Sequence, residues 1–306
     1  MKDPELSAAV SALECPDCRQ IDWRLSSVQP RHNSKTGTAR CVRCGRLVFL
    51  KALKAESVAA ARFAAQQQFL LERQLFEQSD RVGGLRDATI VMEYLEADTA
   101  SRVLRASSPE VQDRLLEEIG RWFAAFHQVM ACEEGPVDFE EKCASLRIRS
   151  ARLAPHHPAR LTIEWLENER RSFDGRRFKR ARLHGDAKPD NFLVSGARIY
   201  GIDAHAGYRN LVEYDLAQFL GQMVVSMGNP LSRRVHRRSG EMEAAVLRGY
   251  RSLMPFDEDA LRWLRGYFLV SLWLNASAAG PAQRWFRRPL LLEDLKRLSD
   301  AVLPAA

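Results

Sequence analysis

No apolar run in these 306 residues reaches the roughly 20 residues a membrane-spanning helix needs. The longest candidate, Tyr267 to Gly280 (YFLVSLWLNASAAG), is broken by Ser and Asn and reads as a core helix. A secretory leader is missing as well. MKDPELSAAVSALECPDC carries acidic residues and proline where a signal peptide is basic and then apolar. These absences make the cytoplasm the expected location. Internal repeats and low-complexity segments are lacking too, and 46% hydrophobic with 28% charged residues exclude a disordered chain. The length suits one large domain or two lobes with a cleft between them.

Cysteine is scarce, at six residues, and a cytoplasmic chain argues against a disulfide framework. Four of the six fall in two pairs, Cys15-x-x-Cys18 and Cys41-x-x-Cys44, joined by 22 residues. Two facing CxxC knuckles are how a small fold offers four thiolates tetrahedrally to Zn²⁺. A CxxC redox pair and four buried thiols are the alternatives. Cys132 and Cys143 read as plain buried thiols.

Positive charge is in excess: 46 Lys and Arg against 39 Asp and Glu give +7. Such a balance suits an anionic partner, whether nucleotide, nucleic acid, phosphosugar or membrane surface. The cations cluster at Arg176 to Arg182, at Arg233 to Arg238 and around Arg284 to Arg288, and solvated loops and helix ends explain these clusters equally well.

Along the chain, Ile21 to Val28 alternates as a strand, and the turn-rich Gln29 to Thr38 follows. A short strand reaches Cys41, Arg46 to Lys54 is a strong strand, and Glu56 to Gln78 reads as a long helix. Ala88 to Leu95 is a buried strand. From there the pattern turns helical. Pro109 to Met130 follows the capping pair Ser107-Ser108, and further helices are expected near 159–173, 213–227, 240–252, 258–276 and 290–302. The expected fold is α+β, with a small β-rich lobe over 1–96 and a larger helical lobe over 97–306.

The chemistry concentrates in one stretch, LHGDAKPDNFLVSGARIYGID, Leu183 to Asp203. Phosphoryl transfer needs Mg²⁺ held by hard oxygen ligands and a carboxylate that takes the acceptor's proton. Asp186 and Asn191 lie five residues apart across a loop that Pro189 turns. A hairpin about Ser195-Gly196 then returns Asp203 beside Asn191. That supplies one carboxylate for the hydroxyl and two oxygen ligands for the metal.

HGDAKPDN followed by GID resembles the catalytic core of the aminoglycoside phosphotransferase and choline kinase group, within the protein-kinase-like fold. The resemblance extends downstream, where Asp215 opens a second Asp-Leu-Ala twelve residues after Asp203, and upstream, where IGRWFAAFHQ (Ile119 to Gln128) is similar to the helix beneath the catalytic loop. It implies Asp186 as base, Asn191 and Asp203 as Mg²⁺ ligands, and Asp215 as the tie between the catalytic loop and a helix. It also implies Lys51 on the nucleotide phosphates, with Lys54 as rival, and Glu72 as the partner of Lys51, ahead of Glu77. The base of ATP or GTP would meet the backbone of Glu93, Tyr94 and Leu95.

Two departures stand out. The phosphate-covering loop should lie within Gln29 to Thr38, yet Gly37 is its only glycine, with Ser34, Lys35 and Thr36 as possible helpers. Lys188, two residues after Asp186, is typical of Ser/Thr protein kinases, and its ammonium could neutralise the transferring phosphoryl group. The zinc pairs are no part of the family pattern. They would brace the base of the first hairpin.

The expected activity is therefore phosphoryl transfer from ATP or GTP to a hydroxyl of a small molecule. The Arg-rich C-terminal region favours a neutral or anionic acceptor, such as a sugar or an anionic metabolite. A protein or glycolipid kinase, a non-catalytic kinase-like scaffold and a zinc-ribbon nucleic-acid binder are the alternatives. Against the last, the N-terminal region offers no array of aromatic and basic residues for stacking bases.

Overall fold

The structure, a computed structural model, describes residues 4–11, 13–15, 17–30, 34–53, 84–86, 89–130, 133–151, 153–204, 209–227 and 234–302. They fall into two compact units, the first ending at Ala97 and the second starting at Asp98. The helix expected over 56–78, with Glu72, Glu77 and Lys54, lies outside the described residues.

In the first unit, β1 (Trp23–Pro30), β2 (Ser34–Cys41), β3 (Leu47–Leu53), β4 (Gly84–Arg86) and β5 (Thr89–Glu93) form one antiparallel sheet. Its order is β1-β2-β3-β5-β4. Side chains alternate across it as strand geometry requires. On β3, Val48, Leu50 and Ala52 are buried while Phe49 and Lys51 are half-buried. The buried set packs with Ala39 against Leu6 and Val10 of a short helix, α1 (Pro4–Ser11), which covers that face. The sequence analysis assigned no element to this segment.

The stretch read as a turn-rich loop is largely strand. Gln29 pairs with Thr36 and Val28 with Gly37, and β2 is paired on both edges. Thr36 and Thr38 have the branched side chains a pleated surface favours, and Thr38 shares a 3.0 Å hydroxyl contact with Ser27 across the pair. Gly37 answers to packing. A Cβ there would sit 2.7 Å from the Ser27 carbonyl oxygen and 3.1 Å from Leu6 Cδ1.

The second unit is mainly helical: α2 (Ala100–Ala106), α3 (Pro109–Val129), α4 (Phe139–Ser150), α5 (Pro158–Glu169), α6 (Glu213–Met227), α7 (Arg234–Arg251), α8 (Glu258–Ala278) and α9 (Pro281–Val302). Two small antiparallel sheets join them. One has β10 (Arg198–Gly201), β9 (Phe192–Ser195) and β6 (Asp98–Thr99); the other has β11 (Arg209–Leu211), β8 (Phe178–Arg182) and β7 (Glu133–Gly135). α3 begins as expected after Ser108 with Pro109 in its first turn. It crosses α7 at close range, because Gly120 and Gly249 leave out the side chains that would meet opposing backbone at 2.1 and 1.9 Å.

α9 starts at Pro281, earlier than expected, and runs through Pro289. The proline removes the N–H that would bond the carbonyl of Trp285, and Trp285 is exposed, where water can take that place. α4 was not expected from sequence; Asp138 opens it by accepting the Glu141 N–H at 3.1 Å. Among the described residues no helix is long and apolar enough to cross a membrane.

Candidate active site

A two-residue loop, Gly196 and Ala197, closes the β9–β10 hairpin, with Arg198 opposite Ser195 and Gly201 opposite Phe192. Gly196 has φ +59°, a backbone that glycine tolerates without strain. Beyond the last strand pair, the Ile202 N–H donates to the Asn191 carbonyl at 2.9 Å. Asn191 and Asp203 therefore flank the open end of one hairpin. Asp203 itself has φ +58°, a left-handed conformation that a non-glycine residue adopts at a cost and that clusters at functional sites.

Asp186 meets both neighbours named from sequence. Asn191 Nδ2 donates to its backbone oxygen at 2.8 Å and to its carboxylate at 2.9 Å. Lys188 Nζ lies 2.5 Å from the same carboxylate oxygen. Asp186 and Lys188 are each about one-third exposed, within reach of a ligand, whereas Asn191 is buried. With its amide N–H₂ turned to Asp186, Asn191 keeps a side-chain carbonyl oxygen free of that bond, and Asp203 follows the residue that its backbone holds. That donor set suits Mg²⁺.

Asp215, on the first turn of α6, holds the loop from behind. It is fully buried and accepts the N–H of His184 at 2.6 Å and of Gly185 at 3.0 Å. His127 Nε2, on the last turn of α3, reaches it at 3.1 Å, and Tyr250 Oη lies 3.0 Å from His127 Nδ1. Burial alone would raise the Asp215 pKa. The hydrogen bond and charge of His127, with His184 and the Gly185 amide, outweigh it and hold the carboxyl below its usual range. Around this clamp Trp122, Phe123, His184, Phe192 and Phe219 pack edge to face. Gly201 is glycine because a Cβ would meet the Trp122 ring at 2.2 Å.

Sequence reasoning missed Gln218, whose Oε1 accepts the Ala187 N–H at 2.9 Å. It also missed Ser101, whose hydroxyl donates to Asp190. Gln218 lies one helical turn after Asp215, so the i,i+3 spacing was the available signal. Cys143 is buried as expected, and burial pushes its thiol up to about 11; Cys132 lies outside the described residues.

In the first unit, Lys51 lies on the sheet face away from α1 and opposite Thr36. Tyr94 donates its N–H to the Leu47 carbonyl at 3.4 Å, and Glu93 pairs with Val48. Because β2 is paired on both edges, the backbone amides of Thr36 and Gly37 are committed to the sheet. This corrects the expectation that amides across Gln29 to Thr38 cover the phosphates. Only 31–33, outside the described residues, lie between the two strands.

The four cysteines converge. The Sγ atoms of Cys15, Cys18, Cys41 and Cys44 all lie within 4.8 Å of one another, with Cys15–Cys44 at 3.4 Å and Cys18–Cys41 at 3.5 Å. A tetrahedral ion with Zn–S bonds of about 2.3 Å spaces its sulfurs by about 3.8 Å, so the set fits. The two knuckles share one shape. In each, the residue after the second cysteine is left-handed, Arg19 at φ +58° and Gly45 at +80°. In each, that residue's N–H returns to the carbonyl of the first cysteine. Burial opposes ionisation of Cys41, but the N–H groups of Cys44 and Arg43 outweigh it and lower the thiol to about 7.

The sequence profile of the phosphotransferase enzyme family (APH) matches residues 47–264, so both knuckles precede the matched span. No curated protein matches the chain significantly. Solved structures do. An amicoumacin kinase bound to AMP-PNP, Ca²⁺ and amicoumacin is similar at 12% identity and TM-score 0.59, with 100% of this chain and 96% of that one covered. A glucosamine kinase with glucosamine, ADP and inorganic phosphate shares 16% identity at TM-score 0.61, covering 92% and 97%. A choline/ethanolamine kinase family protein from Mesorhizobium loti shares 12% at TM-score 0.62, covering 98% and 94%. With the kinase-like fold common to all of them and the profile spanning more than two thirds of its residues, the chain belongs to the phosphotransferase enzyme family, whose members transfer a phosphoryl group to a hydroxyl.

Proposed function

We propose that the protein moves the γ-phosphoryl group of ATP or GTP to a hydroxyl of a small molecule. The observation that carries this reading is the Asp186–Asn191–Asp203 hairpin end, where one amide side chain bonds the candidate base and one backbone bond ties it to the second carboxylate's strand. Asp186 orients the acceptor hydroxyl and takes its proton. Lys188, 2.5 Å from that carboxylate, lies where the transferring group would gather negative charge. Asn191 and Asp203 would hold Mg²⁺, which when bound neutralises charge on the phosphates. Lys51 would contact those phosphates with Thr36 beside it, Glu72 would pair with Lys51, and the base would bond the backbone along Glu93, Tyr94 and Leu95.

The acceptor is a sugar or an anionic metabolite, in keeping with the net charge of +7. The Cys15, Cys18, Cys41 and Cys44 thiolates hold one structural Zn²⁺, which has no open position for catalysis. Residues 1–96 and 97–306 act as the two lobes of a cytoplasmic kinase.

Calorimetric titration of Mg-ATP and Mg-GTP tests this directly. Asp203→Asn should abolish metal-dependent nucleotide binding. Asp186→Asn should retain binding while turnover falls by about 10² to 10⁴. Unchanged turnover in the Asp186 variant would sink the assignment.

A further inference from the structure

Ser101, on the first turn of α2, is a polar residue closed off from solvent. A hydroxyl in such a place needs partners, and it has two. It donates to the Asp190 carboxylate, and its oxygen lies 3.1 Å from Thr99 Oγ1. A serine hydroxyl carries one proton. Since that proton goes to Asp190, the Thr99 hydroxyl donates to Ser101. The three side chains thus form a relay from β6 into the catalytic loop, and bonds polarised in series strengthen one another.

The relay ends beside Asn191. Asp190 is the middle residue of a single tight turn, Pro189–Asn191, whose last N–H returns to the Lys188 carbonyl at 2.9 Å. Beyond Asn191, Thr99 pairs with Leu193 and Asp98 with Val194. The segment from Asp98 to Ser101 therefore grips the chain on both sides of Asn191, whose amide bonds the backbone oxygen and the carboxylate of Asp186. The front of the loop is held differently. Asp215 takes the N–H groups of His184 and Gly185, and Gln218 takes that of Ala187, both from α6. Among the described residues no side-chain bond from α6 reaches 188–191, and Ser101 is the one side chain outside the loop that hydrogen-bonds that half.

We propose that Ser101 is a positioning residue for phosphoryl transfer. By holding Asp190 it fixes the Pro189–Asn191 turn, and so keeps the Asn191 amide on Asp186 with the amide oxygen left for Mg²⁺. This rests on Asp186 as the base and Asn191 as a metal ligand. Ser101 acts through Asp190. Groups that orient a metal ligand from behind are typically worth about tenfold to a hundredfold in affinity or activity.

The test uses the full zinc-loaded chain. Ser101→Ala removes one oxygen, and both former partners reach solvent, so the variant should fold and melt near the parent. In the free protein, hydrogen exchange read by NMR should quicken by about tenfold at the Asn191 and Ile202 N–H groups, which bond the Lys188 and Asn191 carbonyls. The N–H groups of His184, Gly185 and Ala187, held from α6, should keep the parent's rates. Calorimetry with ATP or GTP, whichever the parent binds, should show Mg²⁺-dependent binding weakened by about tenfold to a hundredfold, and kcat should fall over the same range. Metal-free nucleotide should bind as in the parent.

Asp190→Asn keeps an oxygen that accepts the Ser101 hydroxyl and should retain most of the parent's turnover and protection. Asp190→Leu accepts nothing and should match Ser101→Ala, with the double variant no worse than either single. Parental exchange at Asn191 in Ser101→Ala, losses that add in the double variant, or a lower melting point with Mg²⁺-dependent binding intact would each overturn the proposal. The underlying reading fails separately. An Asn191→Leu variant that binds Mg-nucleotide like the parent condemns the metal assignment, while faster exchange in Ser101→Ala still upholds Ser101 as the hold on the turn.

Discussion

Glu213 and Asp215 sit two residues apart and respond to burial in opposite directions. Glu213 Oε1 accepts the Asp257 N–H at 2.8 Å, while Oε2 has no hydrogen-bond donor among the described residues. Burial pushes its pKa up to about 7 from 4.5; the Asp257 and Glu213 amides pull it down, and the Asp257 charge adds to the rise over the weaker opposing effect of Lys179. The folded state therefore holds a proton that the unfolded chain releases near 4.5. Stability is full below that value, falls as pH rises, and levels off above about 7. The loss amounts to about 3 kcal/mol at 1.36 kcal/mol per unit. Asp215, held low, works the other way: its contribution is present at neutral pH and is lost on acidification below the usual carboxylate range. Denaturant unfolding across pH 5 to 8 should show the decline, and Glu213→Gln should flatten it. A slope that survives in that variant would assign the proton elsewhere. At this scale the sequence was informative where chemistry imposes spacing. Asp186 and Asn191 lie five residues apart across the turn at Pro189, so their meeting could be anticipated. Nothing local marks Glu213, at a helix start, as a buried carboxyl, because burial depends on distant partners.

Between elements, the tightest constraint is the α3–α7 crossing at Gly120 and Gly249. A methyl at Gly249 would meet the Glu117 carbonyl oxygen at 1.9 Å and the carbon at 2.7 Å, both backbone atoms that cannot swing away. Gly249→Ala should cost about 1–3 kcal/mol or more, because the helices must part and the Tyr250–His127–Asp215 chain lies on the next residue. Thermal unfolding measures this, and Gly240→Ala on the same helix, with open space around its Cβ, is the control and should lose nothing. Several elements could not be read from local pattern. The Gln29 to Thr38 stretch is rich in turn formers, yet sheet pairing on both edges of β2 overrides their preference. α1 spans only 8 residues and depends on Leu6 and Val10 finding the sheet. α9 passes through Pro289 because the proline costs one hydrogen bond where solvent is at hand. α3, with a cap, a proline and regular apolar spacing, was plain from sequence.

For the whole molecule, the division into a sheet-rich and a helical part was legible because strand alternation gives way to helical periodicity after about residue 95. The first unit has a small buried core of Leu6, Val10, Ala39, Val48, Leu50 and Ala52, and it needs reinforcement. Zinc supplies it in the proposed reading. One zinc per chain is expected by elemental analysis. Cys41→Ser should lose it and melt the first unit, with most helical signal retained from the second; in zinc-finger peptides the ion is worth about 10–16 kcal/mol. A variant that binds no metal yet unfolds like the parent would return the four thiols to a passive role.

One carboxylate, Asp215, gathers segments from three parts of the chain: His127, the His184–Gly185 amides and its own helix, the first of these 88 residues away. The loop that leads into Asp186 is thus held from behind by contacts distant in sequence. During synthesis, His127 and His184 emerge before their common partner, and this clamp cannot form until α6 docks. In the proposed reading, a chain in which α6 has not docked carries Asp186, Asn191 and Asp203 without the clamp that sets their loop.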